Sequence, residues 1–300
     1  SLVEPSKTEY TDTPSPKIFG NTSPLDPQLF SRINDFADEL LKGERSGKYS
    51  PIEVAQWLEE LADAARTVKA RRVDIDVAIQ AGLGRFFASK FRAGVLYAIY
   101  DRTGDRAALE QALKYYRAAR TAWATLAERA KGVYVQDITV GEHPWLRGHW
   151  LDRLPAIDAD IALLEKRLPS AKINSDPKVK AAIAEAQGRP QRPSAAMRHR
   201  APDRFQRKQP LALELAGPAL ASARLHYRHV NQAERWQSAV MDRKGPAYVA
   251  AIPGSYTDSM YPLQYYFELK SAPDRAWLYP GFPPDLAGAP YYVIRADRPE

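Results

Sequence analysis

The residues best able to do chemistry are concentrated in one segment, 134–153. It holds Asp137, Glu142, His143, Trp145, Arg147, His149, Trp150, Asp152 and Arg153, that is, two Trp, two His, two Arg and three acids. Carbohydrate recognition uses this mixture: flat apolar rings for sugar faces, and charged bidentate partners for hydroxyls and carboxylates. Asp137, Glu142, His143, Trp145, Arg147, His149 and Trp150 are therefore the candidate binding residues. A structural role competes with that reading. Trp145 and Trp150 would plug the end of a helical bundle, Arg147 and Arg153 would bond helix C-terminal carbonyls, and Asp152 would cap the next helix.

Other chemistries fit the segment less well. Glycoside hydrolysis needs two carboxylates held about 5–10 Å apart, one of them raised in pKa; Asp137 and Glu142 qualify by proximity alone, so no catalytic residue is assigned. His143 and His149 are six residues apart rather than at the helical i, i+4 spacing, and the nearby acids follow no ligand pattern. No metal ligand is assigned and no cofactor is expected. Gly82 and Gly84 lack the preceding strand and third glycine of a phosphate loop. No Gly-x-Ser-x-Gly elbow, Walker loop or kinase signature occurs.

A second polar cluster comprises Tyr227, Arg228, His229, Asn231, Gln232, Glu234 and Trp236. It reads either as a binding surface at a sheet edge or as a hairpin whose polar residues satisfy the turn while Trp236 packs on the sheet.

These groups must be positioned by two kinds of structure. From 26 to 188 the apolar residues recur with helical period. Helices are expected at 26–42, at 50–69, where Ser50, Pro51 and Glu53 form a capping signal, at 74–100, at 106–131, at 152–168 and at 177–187, with Asp176 as the last cap. Gly82 and Gly84 inside the third helix predict a kink or a close helix crossing. The third and fourth helices read as a hairpin of small and aromatic residues without a second copy at fixed period.

Beyond this comes a tract of Arg189, Arg192, Arg198, Arg200, Arg204, Arg207 and Lys208 among prolines, with Asp203 its one acid. It lacks a series of interleaved aromatics for base stacking and reads as a solvated linker, 189–208, rather than a nucleic-acid arm. From 209 to 300 the period is two: Leu225, Tyr227 and His229 on one face, Arg224, His226 and Arg228 on the other, and Leu263, Tyr265, Phe267 and Leu269 alternating with Gln264, Tyr266 and Glu268. Short strands with Gly and Pro turns over some ninety residues predict an antiparallel β-sandwich of immunoglobulin or fibronectin type. The expected class is thus multidomain, an all-helical bundle followed by a small antiparallel sandwich.

The chain of 300 residues has a net charge of +7 and no cysteine. Absence of cysteine excludes disulfides, thiolate metal sites and a Cys nucleophile, and the spread-out positive charge names no partner. No apolar run reaches the roughly 18 residues of a membrane helix. The opening at Ser1, in a tract with Pro5, Pro14, Pro16, Pro24 and Pro27, reads as an extended linker, 1–25, inside a longer polypeptide.

The run Ala112–Trp123 resembles helices in C-terminal helical regions of large secreted bacterial carbohydrate-active proteins, and 225–237 with 262–269 is similar to their appended fibronectin-like sandwiches. The motifs are generic and carry no catalytic signature. The resemblance implies an accessory region of a glycan-processing enzyme, secreted or periplasmic. Its partners would be a polysaccharide or oligosaccharide and an upstream catalytic domain of the same polypeptide, with no membrane span and no nucleic acid. Two alternatives stand beside this: a glycoside-acting enzyme using carboxylates of the 134–153 loop, and a protein-interaction scaffold using the helical hairpin.

Overall fold

A computed structural model describes residues 26–66, 70–137, 148–173, 176–231 and 233–297. The expected linker 1–25 lies outside them. The chain divides into two compact units. Residues up to Gly43 and Tyr49–Pro190 form the first, and Glu44–Lys48 with the residues from Gln191 onward form the second. Helices occupy the N-terminal half, and antiparallel and mixed sheets follow. Among the described residues no helix is long and apolar enough to cross a membrane.

The helical unit comprises α1 (Ile33–Lys42), α2 (Pro51–Ala64), α3 (Arg71–Thr103), α4 (Arg106–Ala130), α5 (Leu154–Glu165) and α6 (Pro177–Gln187). Two of the capping signals read from sequence, at Ser50 and Asp176, are made, whereas Asp152 accepts from His149 N instead of capping α5. Ser50 Oγ accepts from Glu53 N at 3.1 Å while Glu53 Oε2 accepts from Ser50 N at 2.8 Å, and Asp176 accepts from Lys178 N at 2.8 Å. Each satisfies amides that a helix start leaves without an internal partner. α1 begins at Ile33 rather than near Asp26, because a single turn at 27–29 gives way to an extended bridge between Phe30 and Tyr49. Ser31 N donates to Tyr49 O at 2.9 Å and Tyr49 N to Leu29 O at 2.8 Å.

α3 is the central helix, packed by α1, α2, α4 and α6. It has no single wet face, so both Lys90 and Arg92 are buried on it. Arg92 is satisfied by Glu59, at 2.8 and 3.2 Å, and by the Ala186 and Gly188 carbonyls that end α6, at 3.2 and 2.8 Å. Gly82 marks a close crossing. A Cβ there would lie 2.7 Å from Leu126 Cβ, so only glycine lets α3 and α4 approach.

The second unit holds a larger sheet in the order β1 (Arg204–Phe205), β9 (Tyr292–Ala296), β7 (Leu263–Ala272), β3 (Ser222–His229) and β4 (Gln237–Val240), with β8 (Arg275–Tyr279) also paired to β7. A smaller sheet runs β2 (Leu211–Ala216), β6 (Ala247–Ile252) and β5 (Asp242–Lys244). β1 lies parallel to β9, and the other pairings are antiparallel. Both sheets feed one apolar core: Leu213, Leu215, Tyr248 and Ile252 from the smaller, Leu225, Tyr227, Leu263, Tyr265, Phe267, Leu269 and Ile294 from the larger. The basic tract expected as a linker supplies Met197 and Phe205 to this core. Arg198 and Arg204, each beside one of these buried residues, are exposed, so charge on one side hides burial on the other.

Candidate functional site

The candidate segment begins where α4 ends. Gly132, at φ 71°, turns the chain, and Val133 and Tyr134 fold back on Ile75, Ile79 and Ala130 together with Leu83 and Trp150. Trp150 is half-buried there. Its carbonyl accepts from Trp123 Nε1 at 2.7 Å, and its ring meets Tyr134 edge-on at 5.4 Å. The Arg72 guanidinium lies 4.8 Å from the Tyr134 ring centre, and the Tyr134 hydroxyl donates to Asp76. Trp150 therefore takes the plugging role that competed with sugar stacking.

His149 is buried and shapes the backbone. Its Nδ1 accepts from Leu151 N at 3.2 Å, while its own N donates to Asp152 Oδ2 at 2.7 Å. This reciprocal cap starts the 3-10 turn Trp150–Arg153 that leads into α5. Because Nδ1 is an acceptor, the ring proton sits on Nε2, for which no partner occurs among the described residues. Asp137 is exposed, and its Oδ1 accepts from Gly148 N at 3.0 Å. Glu142, His143, Trp145 and Arg147 lie outside the described residues. The structure thus brings Asp137, His149 and Trp150 together at the base of the segment, and the Asp137–Glu142 pairing is not among the described contacts.

The second cluster is a closed network. Glu234 accepts from His229 N and from Tyr256 Oη, each at 3.0 Å, and its Oε2 sits 2.9 Å from His229 Nδ1. His229 Nε2 lies 3.1 Å from the Tyr256 carbonyl, and the two rings stack 4.4 Å apart. Burial raises the Glu234 carboxyl, but the bonds from His229 and Tyr256 outweigh it and hold the group below its ordinary value. Both His229 nitrogens are engaged, which leaves neither to take a substrate proton. Trp236 packs edge-on against Tyr266 at 4.9 Å, with Arg228 over its ring at 4.5 Å. The hairpin reading of this cluster describes its geometry; Gln232 lies outside the described residues.

Sequence reading missed two further histidine contacts. His226 stacks on its cross-strand partner Tyr266 and meets Glu268 at 2.9 Å; that bond, first among its causes, holds Glu268 low against desolvation. His199 lies within the tract expected to be a linker. The alternation of buried Met197 and half-buried His199 with exposed Arg198 and Arg200 was its one signal, and the surrounding prolines obscured it.

No protein-family model matches the sequence, and no curated protein matches it.

Proposed function

We propose that this chain is a non-catalytic accessory portion of a secreted polysaccharide-processing enzyme, supporting the catalytic domain and contacting glycan through the segment between Asp137 and Gly148. The observation that carries the reading is the 3.0 Å Asp137–Gly148 contact set on the Trp123–Tyr134–Trp150 base. Asp137 and Gly148 flank residues 138–147, which contain Glu142, His143, Trp145 and Arg147. His149 Nε2 is a donor beside that contact. Trp145 is the sugar-stacking ring in this reading.

The second unit is a sandwich of immunoglobulin type. Its strand order supports this: β1-β9-β7-β3-β4 against β2-β6-β5 follows the division of such folds into one sheet extended beyond its central three strands and a second sheet of the remaining strands. Such a unit serves as a spacer or an added glycan contact.

The test is a glycan array on the intact chain beside Trp145→Ala. Binding to a defined glycan that the variant loses, at unchanged melting temperature, supports the reading. An intact chain that binds no glycan overturns it.

A further inference from the structure

The second unit carries a strand edge that the chain itself fills only in part. β2 has β6 along one side. On the other side Arg198 exchanges both backbone bonds with Ala216, at 2.8 and 2.9 Å. That exchange fixes where the β2 amides point. Ala216 faces away from β6, and by the strand's period of two so do Glu214 and Ala212, leaving Leu211, Leu213 and Leu215 to bond β6. The Glu214 carbonyl is engaged by His199 Nδ1 at 2.6 Å. Beyond Arg200 the chain turns off at Pro202. The Glu214 N–H and the Ala212 N–H and C=O are thereby directed at an open cleft of about 320 Å³ between 198–202 and 212–214.

Two guanidiniums stand over this cleft. Met197 and His199 point inward, so Arg198 and Arg200 share the outward side, and both are exposed. Among the described residues neither guanidinium has a hydrogen-bond or ion-pair partner, nor has the Glu214 carboxylate on the opposite wall. Two cations facing one anion leave the cleft net positive.

We propose that this edge binds an extended acidic peptide segment as an added strand. The peptide backbone bonds Ala212 and Glu214, and a carboxylate of the peptide meets Arg198 and Arg200. A sugar acid would also suit the guanidiniums. It lacks the alternating N–H and C=O groups that match two edge residues about 7 Å apart, the strand repeat. The site lies on the second unit and does not depend on the glycan reading of 138–147.

The test is selection from a displayed library of short random peptides on the full chain, followed by anisotropy titration of the enriched, labelled sequences. Acidic, β-prone sequences are expected. Removing both guanidiniums (Arg198→Ala with Arg200→Ala) should weaken them about tenfold or more. Ala212→Pro removes one outward N–H that the β2–β6 ladder does not use and should abolish binding. Hydrogen exchange on the unsubstituted chain gives a readout independent of that variant's folding. The Ala212 and Glu214 amides should exchange fast alone and slowly with peptide, while Leu213 and Leu215 stay protected throughout. Selection without acidic enrichment, affinity indifferent to the arginines, or unchanged exchange at Ala212 and Glu214 each overturns the proposal. So does a uronic-acid oligosaccharide that binds through Arg198 and Arg200 and leaves those amides unchanged, which assigns the cleft to acidic glycan instead.

Discussion

His199 Nε2 lies 2.8 Å from the Tyr265 hydroxyl on β7, while Nδ1 of the same ring lies 2.6 Å from the Glu214 carbonyl on β2. One neutral imidazole satisfies both: Nδ1–H donates to the carbonyl, and Nε2 accepts from the phenol. The ring is packed edge-on among Tyr265, Phe267 and Tyr292.

That arrangement makes the second unit acid-sensitive. Desolvation depresses the His199 pKa below its ordinary 6.5, against the opposing pull of the Glu214 carbonyl. The folded value is lower than the unfolded one, so the stabilisation is complete above pH 6.5 and is lost as pH falls from there toward the folded value. Urea melts at pH 8 and pH 5 should show the second unit weaker in acid. His199→Phe keeps the packing but strands a carbonyl and a hydroxyl. It should cost about 2 kcal/mol at pH 8 and flatten the dependence above pH 5. A variant that keeps the full slope would place the acid sensitivity elsewhere.

The two tryptophans of the candidate segment should separate in a stability assay. The Trp150 ring carries the contacts to Tyr134 and the Ile75–Ile79–Ala130 cluster, while its bond from Trp123 is made by the backbone carbonyl and survives truncation. Half-buried, it should cost about 2 kcal/mol on truncation to Ala, below the range of a fully buried Trp. Trp145→Ala should move the melting temperature by little, since its assigned work is ligand contact. Equal destabilisation by both would make Trp145 part of the plug and remove the glycan contact assigned to it.

Much of the helical unit was legible because its signals are local. The Ser50–Glu53 box and the Asp176 cap are each set by a few neighbouring residues, and Gly82 was legible as a kink or a crossing, although Leu126, which it meets, lies on another helix. The role of Trp150 as a plug was legible as an alternative, but choosing it required Tyr134 and Trp123, which reach it from different turns of chain. The strand periods of β3 and β7 were also readable, since alternate side chains face a core. What escaped was non-local. His199 acquires its partners from Glu214 and Tyr265, far along the chain, and a tract of Arg and Pro looks solvated until Met197 and Phe205 are seen in the core. Arg92 likewise has partners distant in sequence, Glu59 and the Ala186 and Gly188 carbonyls at the end of α6.

Gly82→Ala tests the crossing. In an exposed helix the change would gain about 1 kcal/mol of propensity. Here the new methyl would sit 2.7 Å from Leu126 Cβ, a position fixed by the α4 backbone rather than by a flexible side-chain end. Overpacking costs about 1–3 kcal/mol, so the net change should be destabilising. Leu126→Ala keeps that Cβ and removes only the lesser contact, Leu126 Cδ2 at 3.2 Å from the new methyl, so a double-mutant cycle should show most of the cost remaining. A stabilised Gly82→Ala would mean that α3 and α4 part without cost.

The buried Lys90 poses the sharpest energetic question in the helical unit. Burial drives its ammonium well below the ordinary lysine value, and Asp160 is the charge that opposes this shift. Asp160 also accepts from the buried Tyr116 hydroxyl at 2.9 Å. Removing one charge of a buried set leaves the other uncompensated, at about 3–5 kcal/mol, whereas replacing the set by apolar groups is often neutral. Asp160→Asn should therefore destabilise strongly in chemical denaturation, and adding Lys90→Met should recover a large part of the loss. Lys90→Met alone should be the milder change, because Asp160 keeps its bond from the Tyr116 hydroxyl. If it costs as much as Asp160→Asn, the carboxylate depends on the lysine rather than on the phenol.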